Sequence, residues 1–454
     1  MKSLFELFKK DAAWSLLLMF VFCSAISMPL ARIFILACFV NVLIRCVKQK
    51  RYPRIGRPCV GWLIYFALAI VASCVASACL NDPMLDPSRG LGKLDKLMWF
   101  IGVPLIAILV DSKERFVQLL KWYVVGSMVA AILVFVLYPL NAWIMCVLPK
   151  HSEMAIPAIK ENVSLPAQWL YHFTISIGVY DSLWEEIRKY FYNRPESFSM
   201  AFVLNGTMQG SQRLMVAIPA AFFLIIESMK QKLSRKQILK WVSFLIVIFL
   251  ALVLTCKRGP LLAAFVVMLP LVFYYFKRSS ILIVVILVAT VFAVPSTRMR
   301  IFELPEELTV EKGGRYAMWT QIVPNVHEEH PYGIGFMALT TEKMRHFAPN
   351  MENRPHTHVH STPLQVFVDF SWLGVLVYVG WLLLAIIPVV GYFRRGAGLY
   401  AIIPGAIVLA LTLFALVEYN LADGEIVLLY CIGMGLCDCA FLNKTYASKN
   451  NELK

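Results

Sequence analysis

Three stretches of this 454-residue sequence carry polar groups that could do chemistry beside long apolar runs. The first is Thr255-Cys256-Lys257-Arg258-Gly259-Pro260, a tight turn between two such runs. Its two cations read either as an interfacial anchor that snorkels out of lipid or as a phosphate-binding turn, for which Arg258 supplies a planar donor fork. The second is Gly313-Gly314-Arg315-Tyr316-Ala317-Met318-Trp319, followed by Pro324, Pro331 and the turn Gly333-Ile334-Gly335. A glycine pair lets backbone approach a ligand closely, although a loop arginine is by default solvated. The third is His356-Thr357-His358-Val359-His360, followed by Ser361-Thr362-Pro363-Leu364-Gln365. Pro363 suits the first turn of a helix and Ser361 or Thr362 its cap. His360 then stands at the positive end of a helix dipole, which favours a nearby anion and a neutral imidazole, the form a general base needs. Solvated loop histidines and a metal site are the other readings, since alternating histidines share a face of an extended strand. No carboxylate or cysteine is interleaved with the three, which counts against a metal.

The elements that must position these groups are membrane helices. The chain is 59% hydrophobic and 16% charged, against roughly half and a quarter in soluble domains. Its apolar residues fall in blocks of roughly 15–20, near the length that crosses a bilayer. Blocks recur from end to end, so residues 1–454 read as a single all-α integral membrane domain. The formal charge of +15 marks cytoplasmic loops rather than a nucleic-acid partner. Met1 to Asp11 and the apolar run behind it lack a small-residue cleavage site and read as a first membrane helix, not a signal peptide. Most of the eleven cysteines sit in apolar blocks, with Cys146 alone in a polar loop. No zinc spacing occurs, and no structural disulfide is expected.

About twelve spans are expected, near 12–28, 30–47, 59–80, 97–110, 117–138, 212–229, 241–256, 260–276, 281–295, 363–392, 399–419 and 425–442. Basic clusters at 2–10, 48–57, 113–121, 230–240, 277–278, 394–395 and 444–454 fall in alternate loops and at both termini. Lys and Arg accumulate in short cytoplasmic loops, so both termini are expected inside. Two long segments, 139–211 and 296–362, are then expected outside, and all eight histidines lie in them. Ile175 to Trp184 of the first reads as amphipathic helix on the membrane surface. The two halves show no internal repeat, which argues against inverted-repeat transporters.

The three stretches, in this order, resemble the O-antigen ligase and polymerase superfamily. Thr255-Cys256-Lys257-Arg258-Gly259 is similar to its Ser-Arg-Gly turn, with Lys257 where Ser is common. Gly314-Arg315 through Trp319, with Pro331 and Gly333-Ile334-Gly335, resembles its loop arginine, Trp and Pro-x-x-Gly-x-Gly run. His360-Ser361 through Leu364-Gln365, then Gly374, resembles its His-Asn, Leu-Gln and Gly pattern, with Ser361 replacing Asn. The likeness covers roughly residues 200–440.

This resemblance implies a GT-C-like fold and an inverting glycosyltransferase in the bacterial inner membrane, without metal or other cofactor. Its donor would be a glycan on undecaprenyl diphosphate and its acceptor a lipid A–core hydroxyl, as in lipopolysaccharide biosynthesis, at a periplasmic active site. By the same resemblance His360 would accept the acceptor proton, and Arg258 and Arg315 would hold the diphosphate. Lys257, His358, His356 and Arg213 complete the expected substrate-binding set. An O-antigen polymerase is the alternative within the family, and a transporter of lipid-linked sugars the alternative outside it. A transporter would need ionisable residues at mid-bilayer depth, and the expected helix interiors hold very few.

Overall fold

The computed structural model describes residues 11–50, 56–79, 87–147, 207–302, 315–349 and 357–447. Among the described residues the secondary structure is helical, with no strand. An apolar run in lipid must satisfy every backbone N–H and C=O internally, which an α-helix does. The principal helices are α1 (Ala12–Ser24), α2 (Met28–Gln49), α3 (Arg57–Cys79), α4 (Gly102–Leu109), α5 (Lys113–Val147), α6 (Thr207–Lys230), α7 (Arg235–Leu254), α8 (Arg258–Phe276), α9 (Ser279–Ala293), α10 (Thr362–Arg394), α11 (Leu399–Ala415) and α12 (Gly424–Cys437).

Each expected span therefore falls on a helix, but among the described residues only eight segments are long and apolar enough to cross a membrane. The expected spans at 12–28, 97–110, 281–295 and 399–419 form the shorter α1, α4, α9 and α11. Turns consume the ends of α1, α4 and α11, whereas α9 has the 15 residues expected of it. The 3₁₀ turn Trp99–Ile101 precedes α4, and the chain leaves the α-helix after Ala415. At 1.5 Å per residue, the 13 residues of α1 span roughly 20 Å, against a hydrocarbon core of about 30 Å. Helix α5 runs on to Val147, so Cys146 lies in helix and not in a polar loop. Residues 148–206, with Ile175 to Trp184, lie outside the described residues.

Polar contacts sort the helix ends into two groups. At one end Asp11 pairs with Arg45 and Arg115, each at 2.8 Å, and Lys113 with Glu227 at 2.9 Å. There too the Arg57 N–H donates to Asp438 Oδ2 at 2.9 Å. At the other end Arg213 pairs with Glu425 at 2.6 Å, Phe336 N–H donates to Ser73 Oγ, and Thr362 N–H donates to the Glu418 carbonyl. The described basic clusters at 48–50, 113–121, 230–240 and 394–395 belong to the first end, and the three motif stretches to the second. Helices α6 and α12 form the buried centre of the bundle, whereas α2 and α9 expose apolar faces such as Ile33, Leu36, Leu282 and Val285.

The described part of the 296–362 segment has its own small core, in which Met318, Ile322, Val326, Ile334, Phe347 and Val359 are buried together. This core sits on α10 through Val368.

Candidate active site

Helix α10 begins at Thr362 with Ser361 as an extended cap residue and Pro363 in its first turn. The expected side-chain cap does not form on Ser361. Thr362 Oγ1 instead donates to the Glu418 carbonyl at 2.9 Å and accepts from Asn420 N–H at 2.9 Å. The start of α10 is thereby tied to residues 418–420, which link α11 to α12.

His360 adopts the left-handed region, φ 49°, uncommon for a residue with a Cβ though tolerated by His more than by most. The peptides flanking Val359 are held from both directions. The Trp319 indole N–H donates to the Val359 carbonyl at 2.8 Å, and Val359 N–H donates to Gln365 Oε1 at 2.9 Å. Gln365 in turn donates to Asp369 Oδ1 at 2.8 Å.

Glu418 is the meeting point. Its Oε1 lies 2.8 Å from His360 Nδ1 and 3.7 Å from His358 Nε2, and its Oε2 lies 3.2 Å from the Arg315 guanidinium. Burial alone would raise the Glu418 pKa, but the neighbouring His358, the hydrogen bond from His360 and the charge of Arg315 hold it well below the usual carboxylate range. An ionised carboxylate only accepts, so His360 Nδ1–H donates to it and leaves Nε2 as the basic nitrogen. Burial is also the main cause that lowers the His358 pKa, with the adjacent charge of His360 acting in the same direction.

The cation turn approaches from a third direction. Helix α7 ends at Leu254, Cys256 takes φ 56° to reverse the chain, and Lys257 becomes the extended residue before α8. Gly259 packs so closely on α11 that a Cβ there would stand 2.6 Å from Phe414 Cε2. The Lys257–Arg258–Gly259 turn thus abuts the end of α11, four residues before Glu418.

The Pro331-Tyr332-Gly333-Ile334-Gly335 run has a defined task. Helix α10 is broken at Ser371, φ 56° and ψ −153°, and the break frees carbonyls that would otherwise accept within the helix. Ile334 N–H donates to the Val368 carbonyl at 3.2 Å and Gly335 N–H to that of Asp369 at 2.9 Å. Gly333 and Gly335 both have φ +88°, and a Cβ on Gly333 would stand 2.5 Å from the Asp369 oxygen. Only glycine allows that approach. The buried Asp369 carboxylate fastens the crossing, accepting from Met337 N–H at 3.2 Å and from Tyr419 Oη at 3.4 Å.

Of the expected site residues, His360, His358 and Arg315 converge on Glu418, and Lys257 and Arg258 stand on the adjoining turn. His356 lies outside the described residues, as do Gly313 and Gly314. Arg213 is buried in its pair with Glu425 and also donates to the Ile26 carbonyl at 3.0 Å. His346 pairs instead with Glu329 at 2.7 Å. Glu418 and Asp369 were missed by the sequence reasoning. Asp369 carried a usable signal, a lone carboxylate inside an apolar span, whereas nothing local to Glu418 points to the histidines. Glu418 also supplies the carboxylate that the histidine run lacks: one donor atom each from His358, His360 and Glu418 lie within 4.8 Å of one another, a set that could hold a metal ion.

None of the curated proteins matches the chain. Residues 242–379, which include the Thr255–Gly259 turn, Arg315, His360 and Asp369 but neither Arg213 nor Glu418, match the family model described as O-antigen ligase. That match supports membership of the chain in the O-antigen ligase and polymerase superfamily.

Proposed function

We propose that the protein is an O-antigen ligase that moves a glycan from undecaprenyl diphosphate to a hydroxyl of lipid A–core, with inversion and without a metal. The observation that carries this reading is the convergence of the three motif stretches beside Glu418, at the bundle end opposite the basic loops. Basic loops favour the cytoplasmic side, so the site faces the periplasm and both termini lie inside. The four shorter helical segments complete a GT-C-like set of twelve crossings.

In this reading the acceptor oxygen attacks the anomeric carbon as its proton passes to His360 Nε2. The bond from that carbon to the diphosphate oxygen breaks, and undecaprenyl diphosphate leaves with the electron pair. Glu418 fixes the His360 tautomer and stabilises the imidazolium that forms. Arg258 and Arg315 meet the charge that grows on the diphosphate, an electrostatic task that needs only fixed donors. Lys257 and His358 assist in holding the donor. Arg213 supports it through Glu425 and the α12 start.

The test is reconstitution of purified protein with lipid-linked glycan and lipid A–core. Glycan on lipid A–core with release of undecaprenyl diphosphate is expected. Lengthening of the lipid-linked chain instead would identify a polymerase, and translocation with no bond change would identify a transporter.

A further inference from the structure

A second site lies at the opposite end of the bundle, among the basic loops. Residues 113, 117, 121 and 125 recur every four positions on one face of α5, with Trp122 beside them, and face the α6–α7 turn and the first turns of α7. Between them is a cavity of about 350 Å³, lined by Lys121, Trp122, Val125 and Leu233 together with Lys240 and Trp241. It adjoins a cavity of about 580 Å³ that shares Lys121 and Trp122 and reaches Lys113 and Glu114.

The two cavities differ in charge. In the larger one Lys113 is already neutralised by Glu227 at 2.9 Å, and Glu114 adds a negative group. The smaller one is lined by two cations and no carboxylate. Among the described residues neither Lys121 nor Lys240 forms an ion pair. The Lys240 ammonium instead lies 4.9 Å from the Trp241 ring centre.

Lys121 lies eight residues into α5, about 12 Å along its axis from Lys113. That depth reaches from the cytoplasmic surface to the level of the lipid glycerol groups. Tryptophans concentrate at this level, and basic pockets between membrane helices on this side suit lipid phosphate. Val125, one turn deeper on α5 than Lys121, continues the cavity wall toward the hydrocarbon.

We propose that this cavity binds the headgroup of an anionic glycerophospholipid from the cytoplasmic leaflet. The phosphate sits between Lys121 and Lys240, the glycerol rests on Trp122 and Trp241, and an acyl chain leaves past Val125. A zwitterionic headgroup brings its own ammonium toward the lysines and binds more weakly.

The test is native mass spectrometry and thermal unfolding of the full chain in detergent, with phosphatidylglycerol, phosphatidylethanolamine or glycerol 3-phosphate added. Phosphatidylglycerol should be retained and should raise the unfolding temperature more than phosphatidylethanolamine does, and glycerol 3-phosphate alone should do neither. A Lys121→Gln/Lys240→Gln variant should bind phosphatidylglycerol about 30-fold more weakly. Both side chains are exposed, so the variant keeps its fold. Lys232→Gln/Lys236→Gln removes the same charge outside the cavity and should bind normally. Equal response to the two lipids, an equal effect of glycerol 3-phosphate, or equal loss in the two double variants would each overturn the proposal.

Discussion

His360 Nδ1 and Glu418 Oε1 lie 2.8 Å apart across 58 residues of sequence, and this contact joins the start of α10 to the end of α11. It gives the imidazole one fixed tautomer with Nε2 as the basic nitrogen, the arrangement of a base oriented by a third group. His360→Ala should lower glycan transfer about 100- to 10,000-fold. Glu418→Gln should lower it less, because the imidazole remains but its tautomer is no longer imposed. Transfer at matched membrane abundance is the measurement, and normal transfer by His360→Ala would remove general-base catalysis from this residue.

Arg258→Lys and Arg315→Lys should both depress transfer although charge is kept. An ammonium is a point charge and cannot reproduce a two-pronged contact with a diphosphate. Arg315 also faces Glu418 at 3.2 Å, so its loss should perturb the carboxylate as well. A full rate in either lysine variant would reduce that arginine to a surface charge.

Chelation separates the two uses of the His358–His360–Glu418 set. A transferase that relies on arginines keeps its rate in EDTA. A rate lost in EDTA and restored by a divalent ion, together with loss of ion binding in His358→Ala, would assign the three donor atoms within 4.8 Å to a metal.

The break in α10 stores strain at Ser371, whose φ 56° and ψ −153° belong to a region that is essentially glycine-only. Ser371→Gly should therefore stabilise the protein, by about 1 kcal/mol, seen as a higher unfolding temperature in detergent. Asp369→Ala should do the opposite, because Met337 N–H, the Gln365 amide and the Tyr419 hydroxyl all lose an acceptor. Stranded buried donors cost about 1–3 kcal/mol each.

Stability should fall on acidification in two windows. The folded-state pKa of His358 is lowered below its ordinary 6.5, chiefly by burial. From about pH 6.5 downward the unfolded chain gains a proton that the folded chain binds less readily, so stability declines there. Glu418 is also depressed, from 4.5; its contribution is complete above that value and is lost as pH falls through it toward the folded pKa. Unfolding temperatures followed from pH 8 down to about pH 2 should show both declines. His358→Gln should flatten the upper one and Glu418→Gln the lower.

Hydropathy alone determined that this chain is a bundle of membrane helices and, for α2, α3, α8, α9 and α10, where each begins and ends within a few residues. Apolar runs leave the backbone no partner but itself, so each helix is specified locally. Charge alternation likewise divided the loops into two sets, and the described polar contacts gather the basic clusters at one end and the motif stretches at the other. The lengths of α1, α4 and α11 were not legible, because tertiary contacts set where their ends turn.

The histidine and arginine candidates were visible as polar groups beside apolar sequence. Glu418 was not, since its role depends on which loop its helix ends against. Nor was the break at Ser371, where the lost helical bonds are replaced by N–H groups from Ile334 and Gly335. A carboxylate 58 residues from its histidine, and a helix mended by a distant loop, are consequences of packing between elements. Local sequence chose the elements; only their docking decided that His358, His360, Arg315 and Glu418 meet.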